Sequence, residues 1–217
     1  MLSGFIFDVE GTLVDSVPQN LRSLQDALER FGHRVPYQTL HLYSGLDGNQ
    51  TLQLVVPDAA EPERKEILEV QGTIYEKSYL DSVRPFDGVR DVFRALTERG
   101  GRIALATDCR GLAFKRYLAL LDVNELITGT ACGDDVEHGK PDPRLVGHAL
   151  GKLKIPAPAS VMIGDTPYDA EAGSKPERRP RAFSLAASRK RFYFRPAALL
   201  LLTICSNCCS ASKTASP

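Results

Sequence analysis

The sequence lacks a net charge: 27 lysines and arginines balance 27 aspartates and glutamates over 217 residues. Without an overall basic field the chain has no general attraction for nucleic acid or an acidic membrane surface. Long apolar runs are missing too. The block around Leu199 to Leu202 falls well short of the roughly 20 residues that cross a bilayer. The amino terminus has no basic region ahead of a long apolar stretch and no small-residue cleavage site, so the expectation is no export signal and a cytoplasmic protein. Five cysteines give no even disulfide framework. Cys109 and Cys132 read as isolated thiols, and Cys205, Cys208 and Cys209 lack the second paired cluster that a zinc site needs. The histidines, His33, His41, His138 and His148, have no ligand spacing either.

The balanced total hides an uneven distribution. From Lys175 to Pro217 nine basic residues face one acid, Glu177, so the preceding part of the chain carries an excess of eight acids. The length suits one large domain, or a domain with a smaller insertion.

The stretch that organises the rest is Met1 to Ser16. Phe5, Ile6 and Phe7 form a short apolar run that predicts a buried strand, and Gly11 lets the backbone turn after Asp8-Val9-Glu10. Two carboxylates then leave the strand's carboxyl end, the end where open α/β sheets bind ligands. Burying them is costly unless a cation or proton compensates. Leu21, Leu24, Leu28 and Phe31 follow at helical spacing, with Gly32 as a stop. From about Pro18 to Val83 the pattern is helix after helix, which predicts a small helical unit inserted behind the first strand.

Strand and helix then alternate. Val89, Val92, Phe93 and Leu96 share a helix face, and Arg102 to Ala106 reads as a buried strand ending in Thr107-Asp108. Leu112 to Leu121 is helical, Leu126-Ile127-Thr128 suggests another short strand, and a helix runs from about Pro143 to Leu153. Ser160 to Asp165 repeats the opening logic, an apolar strand emptying into Gly-Asp. This alternation predicts a largely parallel sheet covered on both faces.

Asp8, Glu10, Thr107, Lys140, Asp165 and Asp169 stand where strands, or the helices after them, meet their loops. Carboxylates converging from different strands repel, and a hard cation such as Mg²⁺ is the natural partner for oxygen ligands. A lysine and a hydroxyl in such company suit phosphoryl transfer, where catalysis is mostly positioning and charge stabilisation. Linear spacing alone leaves unconnected surface polar groups as the other reading.

Asp8-Val9-Glu10-Gly11-Thr12-Leu13, the strand-end Thr107, Lys140-Pro141-Asp142-Pro143, and Gly164-Asp165 with Asp169 together resemble the four motifs of the haloacid dehalogenase superfamily. The inserted region resembles its helical C1-type cap, as in phosphoglycolate phosphatase and beta-phosphoglucomutase-like members. The resemblance covers about residues 1–173. It implies an α/β fold with a Rossmann-like three-layer core, mostly parallel in its sheet, and an inserted small α-helical cap: core at 1–15 plus 84–175 and cap at 16–83. The composition of residues 176–217 sets them apart as an atypical basic tail, and the C-terminal part of the core is expected to be atypical or incomplete.

It further implies Mg²⁺-dependent hydrolysis of a small phosphorylated metabolite through an aspartyl-phosphate. Asp8 would be the nucleophile. Asp8, Asp165 and the backbone carbonyl of Glu10 would bind Mg²⁺, and Asp169 would support the metal. Thr107 and Lys140 would hold phosphoryl oxygens, and Arg110 could steer the anion. The departure is Glu10, where phosphatases of this family usually have a second aspartate as acid and base. A weakly active or inactive phospho-metabolite binding protein and a sugar phosphomutase stay open beside the phosphatase. Asn20, Tyr43, Gly45, Asp47, Asn49 and Gln50 are candidates for contact with the leaving group.

After Gly173 the alternation fails. Ala182 to Leu185 or Phe192 to Phe194 could form an edge strand, and the tail reads equally as disorder, an amphipathic appendage or an altered reading frame. An uncovered sheet edge would favour a homodimer. The tail's basic runs suggest no more than a salt-sensitive contact with nucleic acid or acidic lipid.

Overall fold

Among the described residues, five parallel strands form the frame of the protein, in the spatial order β5-β4-β1-β6-β7. The computed structural model describes residues 2–174 and the backbone of 181–184. The central strand, β1 (Gly4–Phe7), pairs with β4 (Arg102–Ala106) on one side and β6 (Ser160–Gly164) on the other. β5 (Gly129–Ala131) and β7 (Arg181–Ser184) close the two edges. The three central strands are buried nearly throughout, which is why their sequences read as continuous apolar runs rather than alternating ones.

Helices cover both faces. Against one lie α5 (Val89–Glu98) and α6 (Gly111–Leu121), packing Phe93, Leu96, Phe114 and Tyr117 onto Phe5, Phe7, Ile103 and Leu105. Against the other lie α7 (Arg144–Leu153) and α8 (Pro167–Ser174), with Leu145, Val146, Ala149 and Ala172 on Ile6, Ala104 and Met162. The expected α/β core, with a parallel sheet between two helical layers, is therefore what the chain forms.

Between β1 and α5 the chain leaves the sheet for α1 (Val17–Arg30), α2 (Tyr37–Leu42), α3 (Gly48–Val55) and α4 (Glu61–Ile74). They bury a core of their own built on Leu21, Leu24, Leu28, Leu40, Leu52 and Ile67. α4 runs on through a π-helical turn at Tyr75–Tyr79 and a short 3₁₀ turn at Leu80–Ser82 before rejoining the sheet. Where the helical unit begins and ends, β2 (Val14–Asp15) pairs antiparallel with β3 (Arg84–Pro85), so its entry and exit lie side by side.

Two expectations need correction. The short strand lies at Gly129–Ala131, just past Leu126-Ile127-Thr128. Leu126 and Ile127 pack against the core cluster instead, which is the reason for their apolar character. At the other edge, the alternative at Ala182 to Leu185 is the one that matches: β7 pairs with β6 from Val161↔Arg181 to Gly164↔Ser184, inside the segment set apart as a basic tail. Phe192 to Phe194, the leucine block and the three terminal cysteines lie outside the described residues.

Candidate active site

The carboxyl ends of β1, β4 and β6 open into one cleft of about 760 Å³, roofed by α1, α4 and the polar turn between α2 and α3. That turn comes very close to the core: a Cβ on Gly45, whose φ is +84°, would fall 2.4 Å from Thr166 Cγ2. Glycine answers both the left-handed backbone and the close approach.

Asp8 follows β1 directly, Asp165 follows β6, and Asp169 sits in the first turn of α8. These three carboxylates converge, each offering an oxygen within 4.8 Å of the others. Lys140, brought in by the loop ahead of α7, donates from Nζ to Asp8 Oδ1 at 2.5 Å and to Asp169 Oδ1 at 2.7 Å. Lys140, Asp8 and Asp169 are all buried. Thr12 Oγ1 donates to Asp165 Oδ1 at 3.3 Å, and Thr166 donates to Asp169 Oδ2 from both its amide (3.0 Å) and its hydroxyl (2.7 Å).

One ammonium does not neutralise three acids, two of them buried and Asp165 half-buried. Burial pushes Asp8 well above the ordinary carboxylate range, opposed by Lys140 and reinforced by Asp169 and Asp165. Burial followed by the charge of Asp169 lifts Asp165 to about 6. Burial works to lower Lys140, but Asp8, Asp169 and Asp108 overcome it and hold the ammonium well above its usual value. An all-oxygen cluster with this excess of negative charge fits a hard divalent cation, which would supply the missing compensation.

Glu10 lines the same cleft, but its carboxylate does not join the cluster. Its Oε1 accepts from the Tyr117 hydroxyl at 3.2 Å. Burial raises its pKa, against the donation from Tyr117. Thr107 is wholly buried at the end of β4; its Oγ1 accepts from Cys109 N at 3.2 Å, and the cleft wall there is formed by Asp108, Cys109 and Arg110. Arg110 is exposed and immediately precedes α6, whose first amide, Gly111 N, donates to Asp134 Oδ2 at 2.9 Å. Of the residues expected near a leaving group, Asn20, Tyr43, Gly45, Asp47 and Asn49 line the cleft and Gln50 does not. Asp47 has a structural task as well, accepting from Asn49 N and Gln50 N at the start of α3.

Sequence reasoning placed Asp108 at a strand end without giving it a role, and passed over Thr166 and the pair of Tyr75 and Tyr117. Asp108 holds the backbone amide of Lys140 at 3.0 Å, a link between two loops that no local pattern announces. Thr166 could have been found from its place beside Asp165. Tyr75 and Tyr117, whose hydroxyls touch, are 42 residues apart and read only as core positions.

A family model described as haloacid dehalogenase-like hydrolase matches residues 5–178. Phosphoglycolate phosphatase from Nitrosospira multiformis is 27% identical over 181 residues, spanning 79% of this chain and 78% of that protein. Pyrophosphatase PpaX from Listeria innocua is 26% identical over 178 residues, spanning 81% and 80%. Among solved structures, a predicted phosphatase from Clostridium acetobutylicum superposes with a TM-score of 0.75 at 17% identity, covering 91% of each chain. At that identity the superposition speaks for the fold.

Proposed function

This chain belongs to the haloacid dehalogenase-like hydrolases, and from that premise we propose that it hydrolyses a small phosphomonoester with Mg²⁺ through an aspartyl-phosphate. The observation that carries this reading is the convergence of Asp8, Asp165 and Asp169 around Lys140 at the floor of a roofed cleft. Asp8, Asp165 and the Glu10 backbone carbonyl would hold the metal, with Asp169 in support. When bound, Mg²⁺ offsets charge on the phosphoryl oxygens and on the carboxylates.

The chain's own groups supply the rest. A carboxylate oxygen of Asp8 attacks phosphorus while the bond to the leaving oxygen breaks, and Glu10 gives that oxygen its proton. Glu10 then takes a proton from water as the water attacks the phosphoryl group, releasing phosphate and restoring Asp8. Lys140 favours the anionic form of Asp8 against its burial and, with the Thr107 hydroxyl, would hold the phosphoryl oxygens. Arg110 at the cleft entrance attracts the incoming anion. The names of the relatives suggest a small phosphorylated metabolite, phosphoglycolate or pyrophosphate among those to try first.

The test is phosphate release from a panel of small phosphomonoesters and pyrophosphate, with and without Mg²⁺, against an Asp8→Asn blank. Metal-dependent release absent from the blank supports the reading. Tight binding of a phosphorylated ligand by folded protein without release would favour a second reading, a binding protein, which is motivated by the glutamate at position 10 where the family usually has aspartate.

A further inference from the structure

Glu10 reaches its place with one methylene more than the aspartate usual there, and a longer carboxyl arm has more rotamers to lose. Two routes hold it, and both start from the same helix. In one, Tyr117 on α6 donates its hydroxyl proton to Glu10 Oε1 at 3.2 Å, and the Tyr75 hydroxyl lies within hydrogen-bonding distance of Tyr117. With the Tyr117 hydroxyl proton engaged by the carboxylate, the Tyr75 hydroxyl is the one left to donate between the two. In the other, Asn20 on α1 lines the cleft with Glu10 and favours its ionised form, and Gln71 Nε2 donates to Asn20 Oδ1 at 3.1 Å.

Gln71 and Tyr75 are four residues apart on the continuous helical run from α4 into the turn that follows it, so they share one face. Tyr75 belongs by sequence to the helical insertion and by packing to the core, where it joins the cluster of Phe7, Leu13 and Tyr117. Tyr117 is wholly buried and Tyr75 nearly so. Burial raises both phenols above their ordinary pKa, so both remain protonated donors.

We propose that Tyr117, backed by Tyr75, is a positioning residue that fixes the carboxylate of Glu10, and that the seat of the helical insertion on the core thereby sets where the acid and base of the reaction stands. The proposal rests on the reading of Glu10 as that acid and base. It explains how a glutamate serves where the family usually has aspartate: the aromatic pair takes up the extra length from behind.

The test is Tyr117→Phe in the full chain, which keeps the ring and removes the donor, with Tyr75→Phe as the second variant. For an alkyl phosphomonoester, kcat should fall about tenfold or more with KM nearly unchanged, since proton transfer to the leaving group is worth about 10² to 10⁴ in rate. For p-nitrophenyl phosphate, whose leaving group departs without a proton, the fall in kcat/KM, which reports only the steps through formation of the aspartyl-phosphate, should stay within about twofold. Equal losses of kcat/KM on both substrates would assign the tyrosine to structure alone and overturn the proposal.

In a Glu10→Asp background the shortened side chain loses Tyr117, so Tyr117→Phe should change little further; additive losses would also overturn it. A readout free of turnover is the ¹³C carboxyl signal of Glu10, identified by its disappearance in Glu10→Gln. It should shift in Tyr117→Phe and by a smaller amount in Tyr75→Phe, and an unmoved signal rejects the contact. Wild-type protein that hydrolyses neither ester sinks the phosphatase reading, while the carbon signal still decides the role of the tyrosines.

Discussion

Lys140 Nζ lies 2.5 Å from Asp8 Oδ1 at the bottom of the cleft, and neither residue has appreciable contact with solvent. Asp169 shares the same ammonium at 2.7 Å. Lys140 is thus the cation around which a group of mutually repelling carboxylates is assembled, and its removal should be felt in stability before it is felt in chemistry.

Lys140→Met should cost about 3 kcal/mol or more, the range found when one partner of a buried pair is lost and the other charge is stranded. The loss should shrink at pH 5, where the stranded Asp8 carboxyl, already pushed up by burial, takes up a proton. Urea unfolding at pH 5 and pH 8 checks this; a loss that is the same at both values would mean that Asp8 and Asp169 do not depend on the ammonium.

Asp8→Asn should remove turnover, by about 10⁴-fold or more, without unfolding the protein. The amide is isosteric and carries no charge, and burial already disfavours the ionised form of Asp8. Lys140 keeps Asp169 as a partner. The melting temperature should therefore stay within a few degrees of the parent while phosphate release disappears. Retained turnover would reject Asp8 as nucleophile.

Metal-free protein should lose stability as pH rises from about 4 through about 6. The sign follows from Asp165, whose folded pKa stands at about 6 against 3.8 for the free side chain. A carboxyl raised by folding stabilises the fold only while it is protonated, so its contribution is complete below the unfolded value and gone above the folded one. Asp8, Asp108 and Glu10 are shifted in the same direction and add to the trend. Melting curves in EDTA should show a lower midpoint at pH 7.5 than at pH 5, each kcal/mol being about 2–4 °C in a protein of this size. Mg²⁺ should restore the midpoint at pH 7.5 by binding the folded state. A midpoint independent of both pH and Mg²⁺ would leave the carboxylate cluster without a cation to hold.

The sheet and the carboxylate cluster were legible for one reason: buried parallel strands write themselves as apolar runs, and the first polar residue after each run marks the end where loops converge. Phe5-Ile6-Phe7 before Asp8 and Val161-Met162-Ile163 before Asp165 both follow that rule. The helical unit was legible from the spacing of Leu21, Leu24 and Leu28, whose shared face is buried in its own core. Short edge strands were less so. Gly129–Ala131 has little apolar character, and its neighbours Leu126 and Ile127 look more strand-like than it does. Contacts between distant side chains left no mark at all: Asp108 with the amide of Lys140, and Tyr117 with Glu10, depend on where helices land, which no local pattern carries.

Gly11 offers a way to disturb one carboxylate from outside it. Its φ is +80°, and a Cβ there would fall 2.4 Å from Asp165 Oδ2 and 3.0 Å from Val17 Cγ2. Gly11→Ala therefore combines two effects, backbone strain of about 1 kcal/mol in the left-handed region and displacement of a carboxylate oxygen. Gly100→Ala separates them: Gly100 has φ +79°, and its Cβ would meet nothing within 4 Å. Both variants should lose about the same stability from strain, measured in EDTA so that metal does not contribute. Only Gly11→Ala should weaken Mg²⁺ binding, read by calorimetry or by the Mg²⁺ dependence of the melting temperature, because only there does the new methyl group push on Asp165. Equal Mg²⁺ affinity in the two variants would show that the Asp165 carboxylate can move aside freely, and would remove it from the groups that hold the metal.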